Sequence, residues 1–437
     1  ELGGYVILKN KNITLAQDDK ESKKDDAKKE KSFEEVTKQS KLIEGLFDIY
    51  QDSISGKIQM LIKEEQLNKD FIYGSQIADG IVQAGGFRGL YNDEKIINFK
   101  KFFDKIEISF KNTNFYFDEN NPLYKSREAN ISNAIISSSK IDFHDKKNGT
   151  YLINANDLFL SESLTRVKPP SRPNQSRTAF SLGSLDKAKS KIMDIRNYPE
   201  NLNIKTDYVY NNPNILSGGS NSVSDSRYVS MKAFHTLIEM PDEDYEIRFD
   251  DQRVGYFLTQ VDNLTDPGTT NYRDLVNRWK LIKKDPSLDI SEPIKPITWW
   301  IENSTPMEWR ETIKEAVLQW NVAFEKAGFK NAIEVKIQPD DADWDAGDIR
   351  YNVLRWTSSP NPPFGGYGPS MVNPKTGEII AADVMLEFVF FTNRVFNDKL
   401  YSDSSLVMNT DNYNQTHDHN NFVCSAGSIL HDNINFG

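Results

Sequence analysis

Ile297-Thr-Trp-Trp-Ile301, Thr305-Pro-Met-Glu308 and the long apolar stripe behind them decide how the last third of the chain is read. The first is a compact strand pattern. The second places Thr at an N-cap, Pro at the first helical position and Glu three residues after the Thr, which predicts a capping box and a helix start at Thr305. Trp309, Ile313, Ala316, Val317, Trp320, Phe324 and Ala327 recur at spacings of three and four, and Gly328 supplies a left-handed stop. A helix of about six turns with one apolar face follows, and that face needs a sheet to lie on. Ile333-Glu-Val-Lys-Ile337 alternates, Ile349 to Trp356 reads as another strand, and Tyr367 to Val372 and Ile379 to Phe388 flank an Asn373-Pro-Lys-Thr-Gly377 turn. The predicted order is β, α, β, β, β, β.

Working outward, the preceding sequence is strand-rich. Ile58-Gln-Met-Leu-Ile62, Phe71-Ile-Tyr73, Ile106-Glu-Ile-Ser-Phe110, Asn114-Phe-Tyr-Phe117, Tyr151-Leu-Ile153, Ile204 to Tyr210 and the run from Ala233 through His235 all carry strand patterns. Gly85-Gly-Phe-Arg-Gly89 and the proline-rich Lys168 to Arg177 read as loops, and Ser291-Glu-Pro-Ile-Lys-Pro296 as a boundary. At 437 residues the chain exceeds the roughly 250 to 300 that one core serves. The expected division is a charged tail over 1–32, a small α+β accessory domain over 33–84, a β-rich accessory domain over 85–290 and an incomplete α/β unit over 291–437. The overall class is α+β multidomain.

Composition narrows the function. With 53 basic against 64 acidic side chains the net charge is −11, which disfavours a nucleic-acid binder, and no run of about 18 apolar residues predicts a membrane span. Asp18 to Lys31 has twelve charged residues in fourteen and is expected to be a solvated linker. Before it, Leu2 to Gln17 reads either as the remnant of a signal peptide or as an ordinary strand. The single cysteine, Cys424, excludes an internal disulfide and reads as an inert thiol.

Several stretches together resemble bacterial secreted zinc-dependent metalloproteases that place a metzincin-like catalytic domain behind two accessory domains. They are Asp251-Gln-Arg-Val-Gly-Tyr-Phe257, Asn277-Arg-Trp-Lys280, Trp309-Arg310, Trp320-x-x-Ala323 to Asn331, Asp340 to Trp344, Asp348-Ile-Arg-Tyr-x-Val353, Tyr367-Gly-Pro369 and Asn373 to Ile379. The resemblance implies a peptide or protein substrate, a zinc cofactor for the complete enzyme, and a secreted, periplasmic or cell-envelope location. It also implies that Gly366, Tyr367, Gly368, Pro369 and Ser370 form an edge strand against which an extended substrate pairs. A plain Gly-Pro turn is the other reading of those five residues.

The departure is equally specific. HExxH, in which one helix presents two imidazoles to zinc, occurs nowhere in the sequence. The family's metal-binding helix would follow Gly437, so the chain is expected to be the inactive amino-terminal portion of a metallopeptidase, with a non-catalytic scaffold or pseudoprotease as the alternative. His417, Asp418 and His419 with Asp411 and His431 read as a solvated loop before a metal site, and His235 as a satisfied or surface histidine before a ligand. Asp383 and Glu387 share one strand face, where a solvated edge is expected ahead of calcium binding or acid–base work. The aspartates between Asp340 and Asp348 carry only a weak calcium signal, and Trp299, Trp300, Trp309 and Trp320 are expected in the core.

Overall fold

The computed structural model describes residues 32–389 except 171–173, 175–178, 242–243, 270, 361 and 363, together with 392, 395 and 400. The readings made for the amino-terminal tail, Cys424 and the histidines at 417, 419 and 431 lie outside the described residues.

Twelve strands form one antiparallel sheet. In chain order they start with β1 (Ser40–Ile43), β2 (Ile49–Asp52), β3 (Ile58–Lys63), β4 (Asp70–Asp79), β5 (Tyr91–Phe102) and β6 (Lys105–Lys111), preceded by a short helix α1 (Phe33–Thr37). After the two-residue strand β7 (Phe115–Tyr116) come β8 (Ala134–Asp145), β9 (Thr150–Asn154), the short helix α2 (Asn156–Phe159), β10 (Ser184–Leu185), β11 (Lys191–Asn197), β12 (Asn201–Asn211) and β13 (Tyr228–Glu239). The spatial order is β1-β2-β3-β9-β8-β6-β5-β4-β13-β12-β10, with β11 also on β12. The sheet curls until its ends meet: the Asn197 amide donates to the carbonyls of Ile43 and Phe47 at 2.9 and 2.7 Å, and Leu46 N donates to Tyr198 O. Curling gives the sheet an inside, filled by Phe47, Tyr73, Phe99, Ile108, Phe159 and Leu202.

This topology corrects the expected boundary at residue 84. β4 is hydrogen-bonded on one side to β5 and on the other to β13. Residues 33–84 and 85–239 therefore share one sheet and one core. Local alternation locates strands, but it carries no information about which distant strand becomes the neighbour.

A connector with small pairings leads onward, β14 (Leu258–Thr259) on β16 (Leu275–Val276), and β15 (Asp262–Asn263) on β7. The second sheet comprises β17 (Ile297–Ile301), β18 (Ile333–Ile337), β19 (Asn352–Thr357), β20 (Gly366–Tyr367), β21 (Ser370–Val372) and β22 (Ile379–Glu387). Its order is β18-β17-β19-β22-β20, with β21 also on β22. β17, β18, β19 and β22 are mutually parallel, whereas β20 and β21 run antiparallel to β22. Helices α3 (Met307–Leu318) and α4 (Asn321–Lys326) connect β17 to β18, as a parallel pair requires.

Two local expectations fail. The α3 N-cap is Pro306, with no side-chain cap bond; Thr305 is buried and its carbonyl accepts from Arg310 Nε at 2.9 Å. The single helix is also interrupted at Gln319 and Trp320, where Trp320 N bonds the carbonyl three residues back, and Trp320 is 64% exposed instead of in the core. Trp300 does pack, edge-on to Trp344 and Tyr351. Gly328 stops the helix as expected, at φ +92°.

Candidate functional site

The strand pair β20–β21 closes one edge of the second sheet, and its register fixes which backbone groups point outward. Glu387 N donates to Gly365 O at 3.2 Å and Asp383 N to Pro369 O at 3.1 Å, so Gly365 and Pro369 face β22. Backbone polarity alternates along an antiparallel strand, so Gly366, Gly368 and Ser370 direct their N–H and C=O groups away from it. None of these outward groups bonds another described residue. Gly366 and Gly368 are exposed, while Tyr367, Pro369 and Ser370 are half-buried. Pro369 gives its carbonyl to Asp383 N but has no N–H to return to the Asp383 carbonyl, a missing ladder bond that an edge strand tolerates. The five residues singled out from the sequence thus lie together on one edge.

That edge is held by the curled sheet. Phe87, from the glycine-rich loop between β4 and β5, packs edge-on to Phe364 at 4.8 Å and to Tyr367 at 5.5 Å between ring centroids. Met371 is buried and clusters with Ile72, Ile96 and Ile238 of the curled sheet. One residue further, the backbone N–H of Val372 donates to Glu94 Oε2 at 3.2 Å, so a carboxylate ends the open stretch of edge. Burial raises the Glu94 carboxyl to about 7, a rise opposed by that single N–H.

Behind the edge, Asp383 on β22 is buried at the junction of the two sheets. Its Oδ2 accepts from Gln76 Nε2 at 3.0 Å and Tyr91 OH at 3.2 Å, and its Oδ1 from Val353 N at 3.3 Å. Burial raises its pKa to about 6, against the pull of nearby Arg355 and these donors. Tyr91 is raised in turn by burial and by Asp383. Arg355, itself buried, places Nε 3.8 Å from Glu302 Oε1. Glu387 is buried too, accepting from Thr357 Oγ1 at 3.0 Å and Ser359 N at 2.9 Å. The solvated edge expected for Asp383 and Glu387 is therefore wrong: β22 is an interior strand, and the curled sheet covers the face that carries Asp383.

Glu302, Thr357 and Glu387 mark the carboxyl ends of β17, β19 and β22, the end at which open parallel sheets usually bind ligands. A recess of about 940 Å3 lies at the opposite, amino ends, walled by Ile238, Met240, Trp279, Ile294, Trp300 and Ile380.

Among the described residues no group of three His, Cys, Asp or Glu side chains is arranged to hold a metal, and no helix is long and apolar enough to cross a membrane. His235 is saturated: Tyr73 OH lies 2.9 Å from Nδ1, and Tyr208 OH and Thr206 Oγ1 lie 2.9 and 3.2 Å from Nε2. Burial drops its pKa to about 3, so it is a neutral core histidine. His144 stacks on Tyr151 at 4.4 Å. In the aspartate-rich segment, Asp348 is committed to a bidentate contact with Arg350, whose guanidinium covers Tyr198.

Glu94, Gln76 and Tyr91 are not legible as site residues in the sequence, because their partners lie 278, 307 and 292 positions away. The signal in the sequence is a polar Tyr91-Asn-Asp-Glu-Lys95 opening to a strand that continues with Ile96, Ile97 and Phe99.

The profile of a domain of unknown function, DUF5117, matches residues 89–284. The match takes in β5 to β16 but leaves out β4, which sits between β5 and β13 in the sheet. No curated protein and no solved structure matches the chain.

Proposed function

We propose that the chain provides the substrate-binding part of a zinc-dependent metallopeptidase, and that an extended peptide adds to it as a further strand along Gly366 to Ser370. The observation that carries this reading is the edge itself, an antiparallel strand on a parallel sheet whose outward N–H and C=O groups have no partner among the described residues. Main-chain hydrogen bonds of this kind give affinity without demanding a particular side chain. Five residues of edge would span about 17 Å of bound peptide. Phe87, Phe364 and Tyr367 fix the strand from behind, and Glu94 limits how far a peptide can run toward Val372. The parallel sheet with its connecting helices is, in this reading, the amino-terminal half of a metzincin-like catalytic domain acting outside the cytoplasm.

The described residues do not fit a zinc site, since His235 is saturated by hydroxyls and HExxH is absent from the sequence. The metal of the proposed enzyme is therefore assigned to ligands other than these, and the role given to this chain is to bind and orient peptide. Fluorescence anisotropy with a labelled, extended peptide library tests it. Ser370→Pro removes one outward N–H and no bond to β22, and is expected to weaken peptide binding about tenfold. Equal binding by wild type and Ser370→Pro would remove the edge from the account. Chelator-sensitive peptide cleavage by the full-length gene product tests the reaction separately.

A further inference from the structure

A second surface lies at the β5–β6 hairpin, far in sequence from the peptide edge. Its tip reads Lys100-Lys-Phe-Phe-Asp-Lys105, and all six residues are exposed. Phe102 is 53% and Phe103 82% exposed, and their rings meet edge-on at 4.9 Å. Phe103 adopts φ +52°, a left-handed conformation that a tight hairpin normally gives to Gly or Asn. A bulky aromatic there gains nothing from the core and strains the backbone, so the fold does not explain it.

The surroundings are basic although the chain as a whole is acidic. Lys100, Lys101 and Lys105 flank the two rings, and the strand register sets Lys140 of β8 opposite Lys105. Asp104 and Glu107 are the acids of the hairpin itself, the latter facing Lys100 across it, and Glu64 accepts from the OH of the Tyr151 ring that Lys101 covers. Lys101 lies over this ring of Tyr151 in β9 at 5.4 Å. Two exposed aromatic side chains with a collar of lysines match an interface in which the rings enter the acyl boundary and the ammonium groups meet phosphate. We infer that the β5–β6 tip docks the protein onto an anionic lipid surface, with Phe102 and Phe103 inserted and Lys100, Lys101, Lys105 and Lys140 contacting headgroups.

The test is co-sedimentation of the whole chain with vesicles of phosphatidylglycerol and phosphatidylcholine in equal parts, and with phosphatidylcholine alone. Wild type is expected to bind the mixed vesicles, to bind the neutral ones weakly, and to be released by salt. Phe103→Gly should lower partitioning about tenfold while leaving the melting temperature unchanged or higher, because glycine relieves the left-handed strain. Retained fold with lost binding separates docking from stability. The inference is overturned if wild type ignores the mixed vesicles, if Phe103→Gly binds them equally, or if light scattering shows a wild-type dimer that Phe103→Gly dissociates.

Discussion

Replacing Glu94 by Gln isolates the junction between the two sheets. Burial holds the Glu94 carboxyl at about 7 against an ordinary 4.5, while its Oε2 accepts one bond, from Val372 N. A carboxyl whose folded pKa is raised is stabilising when protonated. Its contribution is complete below the unfolded value of 4.5 and is lost as pH rises through about 7. Each pKa unit is worth about 1.4 kcal/mol, so the charged form costs the folded protein about 3 kcal/mol at pH 8 relative to acid. Gln keeps an acceptor oxygen for Val372 N and never ionises. Glu94→Gln is therefore expected to be neutral near pH 4.5 and to stabilise by up to about 3 kcal/mol at pH 8, raising the melting temperature by roughly 5–10 °C. Urea unfolding of both proteins at a series of pH values measures the difference. If the two curves stay parallel from pH 4.5 to 8, Glu94 is not buried against β21 and the docking of the edge on the curled sheet is wrong.

Three further outcomes follow from the same structure. His235 is held neutral at about 3 from an ordinary 6.5, so its contribution is present above 6.5 and drains away in acid, by about 3 kcal/mol at pH 4; His235→Gln should be less stable at neutral pH and have a flatter acid limb in urea unfolding. Gly377 sits at φ +78°, and a methyl added to its Cα would lie only 2.7 Å from Val276 O, so Gly377→Ala should cost about 2 kcal/mol or more by the same assay. Met371→Ala empties a buried contact with Ile72 and Ile96 and should cost about 2–5 kcal/mol, with limited proteolysis of the curled sheet's loop at 80–90 accelerated as the edge loosens.

Much of the second sheet was legible because its signals are short-range. Alternation at Ile333 to Ile337, the apolar run at Ile297 and the Asn373 to Gly377 turn each act within a few residues, and the structure places elements there. Gly377 accepts the left-handed conformation the turn needs. Thr305 and Glu308 meet every local criterion for a capping box, yet Thr305 is withdrawn into the fold, where Arg310 takes its carbonyl. Asp383 shows the same limit more sharply. Two carboxylates in a strand suggest solvent, but Asp383 is buried among donors the local sequence does not announce, Gln76 and Tyr91 from the other sheet beside Val353 N. The candidate edge was legible as a Gly-Pro strand through resemblance, but its end-stop at Glu94 depends on a pairing 278 residues apart.

The most direct measurement is hydrogen–deuterium exchange of the whole chain, read at residue level with and without a saturating extended peptide. The account predicts new protection at the amides of Gly366, Gly368 and Ser370, with Val372 unchanged because Glu94 already occupies it. Protection confined to the recess around Trp279 and Trp300, with the edge amides exchanging as before, would contradict it.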